Sequence, residues 1–286
     1  MDQEGIRPCR RPYSPEGRRC LTIGLVGGTE LAARFRPVEC DERRVESRVF
    51  DFKERVVIVT GASGNMGRAV ARAFREAGAR VVLVDRVAEP SAGTNLDPGS
   101  HDRPSLAQAA DLNDPASVER MVEEVIRVMG RIDVLVNTVG GYRAGSPVHQ
   151  TTLEVWDRMM TINARTAFIV SHAVIPEMLR QGSGKIIHIA ARPGLAGAAN
   201  AAAYSASKAA VIRLTESLSA EMRHSGINVN CVVPGTLDTP QNREAMPDAD
   251  TRRWVAPESL ADVILFLASS AARDVHGASI PVLGRS

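Results

Sequence analysis

From Val49 onward, short runs rich in β-branched residues alternate with segments of helical spacing, and no other feature constrains the fold of this chain so tightly. Runs at Arg55 to Thr60 and Arg80 to Asp85 flank a helix-period segment from Gly67 to Ala77. The pattern continues with a helix at Pro115 to Met129, a strand at Ile132 to Asn137, a long helix from Leu153 to Arg180 and a strand at Lys185 to Ile189. A helix carrying Tyr204 and running to Arg223, a strand at Ile227 to Val233, a helix from Pro257 to Ala268 and a last strand at Ser279 to Leu283 complete it. Strands that are apolar throughout and separated by helices predict an α/β fold: a doubly wound parallel sheet, covered by helices on both faces, in a single domain over residues 51–286. A ligand is expected in the crevice at the carboxyl ends of the strands.

The chain of 286 residues is long enough, and at 44% hydrophobic apolar enough, for a buried core. A net charge of +2, with no basic stripe interleaved with aromatics, argues against a nucleic acid partner. No apolar run approaches the ~20 residues of a membrane-spanning helix. Cys9, Cys20, Cys40 and Cys231 show no CxxC spacing and no clustered histidine, so no metal site is expected. Cys231 reads as a buried strand residue, and the cysteine usage fits a reducing cytoplasm.

Residues 1–50 read as a poorly ordered extension in which every basic residue is arginine and prolines and glycines interrupt each apolar stretch. Glu4, Glu16, Glu30, Glu39, Asp41, Glu42 and Glu46 argue against a transit peptide. Arg18-Arg19 before Cys20 to Val26 resembles a twin-arginine signal, but the apolar part is short and Glu30 follows soon after. A start assigned upstream of the true one is the other explanation for the extension.

The turn Thr60-Gly61-Ala62-Ser63-Gly64-Asn65-Met66-Gly67 follows a strand and precedes a helix, which is the context that gives a glycine motif its meaning. Glycine permits tight backbone angles and close approach of a pyrophosphate, and the helix N-terminus supplies free N–H groups. Gly61, Ser63, Asn65, Met66 and Gly67 are therefore candidate cofactor contacts, with a tight turn lacking a ligand as the alternative. Asp85 ends the second strand, where its carboxylate would hold the hydroxyls of an adenosine ribose and repel a 2′-phosphate, favouring NAD over NADP. Arg86 beside it works against that repulsion. Asp111-Leu112 would flank the adenine or serve as strand-end caps.

Tyr204 and Lys208 stand four residues apart on one face of a helix. An ammonium near a phenol favours the phenolate and would bring the tyrosine pKa toward neutrality, making Tyr204 a candidate general acid. Such a pair also occurs by chance on surface helices. His188, on an apolar strand, reads as a packed residue rather than a catalyst, and His149 as solvent-exposed.

Together these residues resemble the short-chain dehydrogenase/reductase family over Asp51 to the C-terminus. The Thr60 to Gly67 turn is similar to TGxxxGxG, with Asn65 in place of the middle glycine. Asn137-Thr138-Val139-Gly140 resembles NNAG, Asn163 matches the family's asparagine, Tyr204 and Lys208 match YxxxK, and Pro234-Gly235-Thr236-Leu237-Asp238-Thr239 resembles the PG segment. The resemblance implies a Rossmann fold, an NAD(P)-dependent oxidoreductase with NADH favoured, a small-molecule substrate, and a homotetramer or dimer packed through the Leu153 to Arg180 and Tyr204 helices. It further implies that Asn137, Gly140, Pro234, Gly235, Leu237 and Thr239 contact the cofactor. Lys208 would hold the nicotinamide ribose and lower the pKa of Tyr204, and Asn163 would support a water in the proton relay.

The family's serine, about thirteen residues before the tyrosine, is Ala191 here. A methyl cannot polarise a carbonyl, and losing such a donor costs on the order of 10²-fold in rate. A second, local resemblance addresses that loss. Leu237 to Arg243, Met246 to Asp250 and Trp254 look like the stretch after the PG segment in quinonoid dihydropteridine reductases, which likewise have alanine before a basic residue, here Arg192. Those enzymes also carry an aromatic residue after paired glycines, as Gly140-Gly141-Tyr142 does here, whereas Asn137 and Asn163 look more like the general bacterial reductases. Tyr142 would stack on a planar substrate and Arg192 would bind its polar edge; a free loop tyrosine and a solvated loop charge are the alternatives. The expected activity is reduction of a quinonoid pterin or other conjugated substrate, with 3-oxoacyl or ketone reduction and a non-catalytic NAD-binding sensor or oligomer partner as rivals.

Overall fold

A computed structural model of the protein describes residues 50–87 and 105–285, all within one compact unit. The expectations for residues 1–49, including Cys9, Cys20 and Cys40, lie outside the described residues.

The alternation seen in the sequence becomes a sheet of seven parallel strands in the order β3-β2-β1-β4-β5-β6-β7. The strands are β1 (Val56–Thr60), β2 (Arg80–Asp85), β3 (Leu106–Ala109), β4 (Val134–Asn137), β5 (Gly184–Ile189), β6 (Ile227–Pro234) and β7 (Ser279–Val282). Successive residues of β1 serve opposite faces. Val57 and Val59 pack with Phe74, Leu260 and Ile264, while Val56 and Ile58 pack with Met121, Val125 and Val174. The first layer is therefore built by α1 (Asn65–Glu76) and α8 (Pro257–Ala268), and the second by α2 (Pro115–Met129) and α4 (Thr166–Gln181). This two-sided burial explains why the strands read as unbroken apolar runs.

The strand order reverses between β1 and β4, and a crevice opens there at the carboxyl ends of the strands. Thr60 and Asn137 are register partners at that point, and the Thr60 hydroxyl donates to Asn137 Oδ1 at 2.6 Å. Local chemistry fixes the flanking helices. Asp114 caps α2 by accepting from the Ala116 N–H, Pro115 follows at the first position, and Gly130 ends the helix in the left-handed region.

Two departures from the sequence expectations matter for the site. The strand expected from Ile132 begins only at Val134, because the Ile132 N–H donates to Gln181 and the Asp133 carboxylate is taken by Arg55, Arg131 and the Val56 N–H. The long helix is continuous but not uniform: α3 (Leu153–Met159) passes through a π-helical turn at Met160–Arg165 into α4. No helix of the described residues is long and apolar enough to cross a membrane.

Candidate active site

The turn after β1 enters α1 with backbone geometry that only glycine satisfies. Gly61 has φ +64°, and a Cβ there would meet Val139 Cγ2 at 3.0 Å. A Cβ on Gly67 would lie 2.1 Å from the Gly61 carbonyl oxygen, so the absent side chain lets α1 close onto the turn. Ser63 spans from this turn to β2, its N–H donating to Asp85 Oδ2 at 3.0 Å and its hydroxyl donating to the same oxygen. Partial burial raises the Asp85 pKa, but the two bonds from Ser63, with the Arg86 N–H and charge, outweigh it and leave the carboxylate below its ordinary value. Asp85 is therefore ionised at neutral pH.

A cavity of about 1030 Å³ runs from Gly61, Ser63 and Gly64 past Asp85 and Arg86 to Ala110, Leu112 and Asn113, and on to Thr138, Val139 and Gly140. It combines a glycine turn at a helix N-terminus, a carboxylate at the end of β2 and apolar side chains beyond. These residues fit a dinucleotide, with polar groups where a pyrophosphate and a ribose would lie and an apolar slot for a base. Glu154, Asp157, Arg158, Thr161, Ile162 and Thr166 complete the wall. Neither they nor Asn113 were expected, since their role depends on how α3 folds back over the crevice.

The chemical groups gather where α6 (Ala202–Met222) meets the ends of β4 and β5. The Lys208 Nζ donates to the Ile189 carbonyl at 2.9 Å, and a Cβ on Gly140 would stand 3.1 Å from that nitrogen and 2.9 Å from Asn163 Oδ1. Lys208 is 5% exposed, and burial lowers its pKa to about 8. Burial, reinforced by the phenol of Tyr142, pushes the Tyr204 pKa up to about 12. This corrects the expectation of a phenol drawn toward neutrality. Lys208 donates to the Ile189 carbonyl, and no attraction from it offsets the burial of the Tyr204 phenol, so desolvation wins. Tyr204 holds its proton at neutral pH, the form a proton donor requires.

Asn163 sits in the π-helical turn and is 1% exposed. Its carboxamide accepts from the Gly141 N–H and donates to the Gly141 carbonyl, both at 3.0 Å, and donates also to the Ser207 hydroxyl, which in turn donates to the Tyr204 carbonyl. Both amide hydrogens are thus used to join the β4 loop to α6. Tyr142, next in that loop, packs edge-to-face on Tyr204 with ring centroids 4.8 Å apart.

Other expected residues stand elsewhere. Asn137 is buried as the partner of Thr60 and does not line the cavity. Asp111 caps its own turn by accepting from the Asn113 N–H, which agrees with the strand-end alternative. Asn65, Met66 and Gly67 form the first turn of α1 and do not line the cavity, and Asn65 Nδ2 donates to Gln241 at 2.5 Å. Pro234 ends β6, the Gly235 N–H donates to Val282, Leu237 bridges to Val255, and Thr239 caps α7 (Pro240–Ala245). Ala191 is buried just before α5 (Arg192–Leu195), and Arg192 is exposed. Gly194 escaped the sequence reading. A Cβ there would sit 2.8 Å from the Lys208 carbonyl carbon, so its bareness lets α5 lie on α6. His188 is fully buried, held near the Ser171 hydroxyl, its pKa lowered to about 4 by burial and by Lys208; His149 is exposed.

The family model for short chain dehydrogenase matches residues 55–250. The (2S)-[(R)-hydroxy(phenyl)methyl]succinyl-CoA dehydrogenase subunit BbsD of Thauera aromatica is 34% identical over 241 residues, covering 81% of this chain and 96% of its own. The 3-oxoacyl-[acyl-carrier-protein] reductase FabG of Thermotoga maritima is 32% identical over 243 residues, covering 80% and 96%. Among solved structures, NAD+-bound xylitol dehydrogenase superposes with a TM-score of 0.75 at 27% identity, over 82% of this chain and 99% of that one.

Proposed function

The chain belongs to the short-chain dehydrogenase family and is an oxidoreductase that uses a nicotinamide cofactor, and from that premise we propose that it interconverts a secondary alcohol and its ketone with NAD. The observation that carries this reading is that Tyr204 and Lys208 stand one turn apart on α6, which the Asn163–Gly141 clasp ties to the end of β4 through Ser207. The similar proteins named above act, by their names, on a hydroxyl-bearing thioester, a 3-oxoacyl thioester and a polyol, all of which carry oxygen on the reacting carbon.

A bound nicotinamide supplies or accepts the hydride. Tyr204 delivers its hydroxyl proton to the substrate oxygen during reduction, and its phenolate takes that proton back during oxidation. Lys208, beside Gly140 and one helical turn on from Tyr204, would hold the nicotinamide ribose, and Asn163 holds the loop and α6 in register. Gly61, Ser63 and Gly64 would receive the pyrophosphate and Asp85 the adenosine ribose. Pro234, Gly235, Leu237 and Thr239 would flank the nicotinamide, with Tyr142 and Arg192 on the substrate side. The ionised Asp85 supports NAD over NADP, because a 2′-phosphate would meet its charge. The same reading makes the protein a cytoplasmic homodimer or homotetramer.

Ala191 favours a second reading, in which NADH reduces an electrophilic conjugated compound such as a quinonoid dihydropterin that needs no donor at that position. One assay separates the two. NADH and NADPH oxidation is followed with a 3-oxoacyl thioester, a cyclic ketone, a polyol-derived ketone and quinonoid dihydropterin. Ketone reduction with NADH preferred, lost by roughly 10²-fold or more in Tyr204→Phe, is the expected result. Ready pterin reduction with no ketone turned over would transfer the assignment to the second reading.

A further inference from the structure

Among the described residues, several hydroxyls near the reacting centre are committed to the protein. Ser207 donates to the Tyr204 carbonyl, Ser205 accepts from the Ala198 N–H, and Thr138 donates to the Thr60 carbonyl. Ala191 offers only a methyl. The hydroxyls of Tyr204 and Tyr142 have no protein partner among the described residues, and their rings meet at 83°. Tyr142 is 71% exposed, so a substrate reaches it directly.

Its loop is nevertheless held firmly. Asn163 bonds both backbone groups of Gly141, the residue immediately before Tyr142. A Cβ on Gly141 would press on Ile162 Cγ2 at 3.1 Å, and one on Gly140 would press on Lys208 Nζ. The paired glycines therefore let this backbone lie flush on the π-helical turn, which sets the next side chain against Tyr204. An exposed aromatic residue at a loop tip ordinarily has freedom to swing away; this one is mounted on a bidentate clasp.

We propose that Tyr142 is the substrate-orienting residue of this site, its hydroxyl giving the substrate oxygen the second hydrogen bond that the Ala191 methyl cannot give. Asn163 is the positioning residue that holds it there. The inference rests on the reading of Tyr204 as proton donor to a carbonyl. In reduction, hydride adds to the carbonyl carbon, the C=O π pair moves onto oxygen, and that oxygen takes the Tyr204 proton. Tyr142 donates a hydrogen bond to the growing negative charge throughout and keeps its own proton. Tyr204, left as phenolate, is reprotonated from solvent.

The test compares Tyr142→Phe, Ala191→Ser and their combination with the ketone the parent enzyme reduces, alongside thermal unfolding. Phenylalanine keeps the ring contact with Tyr204 and removes only the oxygen. Tyr142→Phe is expected to unfold at the parent temperature and to lose on the order of 10²-fold in kcat/KM, chiefly in kcat, as removal of one oxyanion donor does. Ala191→Ser should restore most of that loss in the Tyr142→Phe background and change the parent by little. Activity of Tyr142→Phe equal to the parent, or a loss that serine at 191 does not relieve, would overturn the proposal. Full ketone reduction by Tyr204→Phe would instead overturn the underlying reading, so the two failures are told apart.

Discussion

Lys208 places its ammonium in the core with a backbone carbonyl as its hydrogen-bond acceptor and, among the described residues, no carboxylate in contact. The folded pKa of about 8 lies below the ordinary 10.5, so between these values the unfolded chain binds more protons than the native one. Stability contributed by this group therefore rises as pH rises from about 8 toward 10, and at neutral pH the buried charge is a cost. Lys208→Met, which keeps the volume, should be at least as stable as the parent in urea unfolding at neutral pH, should lose that alkaline rise, and should be inactive. A sharp destabilisation at neutral pH would contradict the assignment of burial as the cause. The identities of Tyr204 and Lys208 were legible in the sequence because their spacing is local. Their proton affinities were not, because desolvation depends on what α5, β5 and the Tyr142 loop bring over them.

The entry into α1 shows how an element depends on one missing side chain. Gly67→Ala would force a methyl against the Gly61 carbonyl oxygen and the Ala62 Cα, which are backbone and cannot rotate aside. The turn must then open, and we expect NADH affinity, measured by fluorescence titration, to fall by an order of magnitude or more, with a lower thermal midpoint. NADH affinity equal to that of the parent would contradict this account of the turn. The motif announced this element because strand, turn and helix are contiguous. The π-helical turn at Met160–Arg165 left no such mark. One extra residue in the helix barely disturbs the periodicity, yet it coincides with the buried Asn163 clasp. The short helices α5 and α7, of four and six residues, were also missed, since fewer than two turns carry no period to read.

Across the whole molecule, the second layer leaves apolar side chains uncovered. Leu153, Trp156, Phe168 and Leu179 are all exposed on the continuous α3–α4 helix, whereas on α1 and α8 only Phe266 is an exposed large hydrophobic residue. A second copy of the chain packed there is the arrangement the family implies, and light scattering after size-exclusion chromatography should give a dimer or tetramer that Phe168→Glu shifts toward monomer. A monomeric parent at micromolar concentration would count against it. By itself the sequence determined the α/β class and the parallel sheet and singled out the glycine turn and the Tyr204–Lys208 pair, because each is written in a residue pattern local along the chain. Only the tertiary structure decided that Asn137 is a strut between β1 and β4, that Asn163 grips Gly141, and that Tyr142 lies on Tyr204. Those contacts join residues that are 77, 22 and 62 positions apart, and no local pattern records which distant surfaces meet once the hydrophobic layers close.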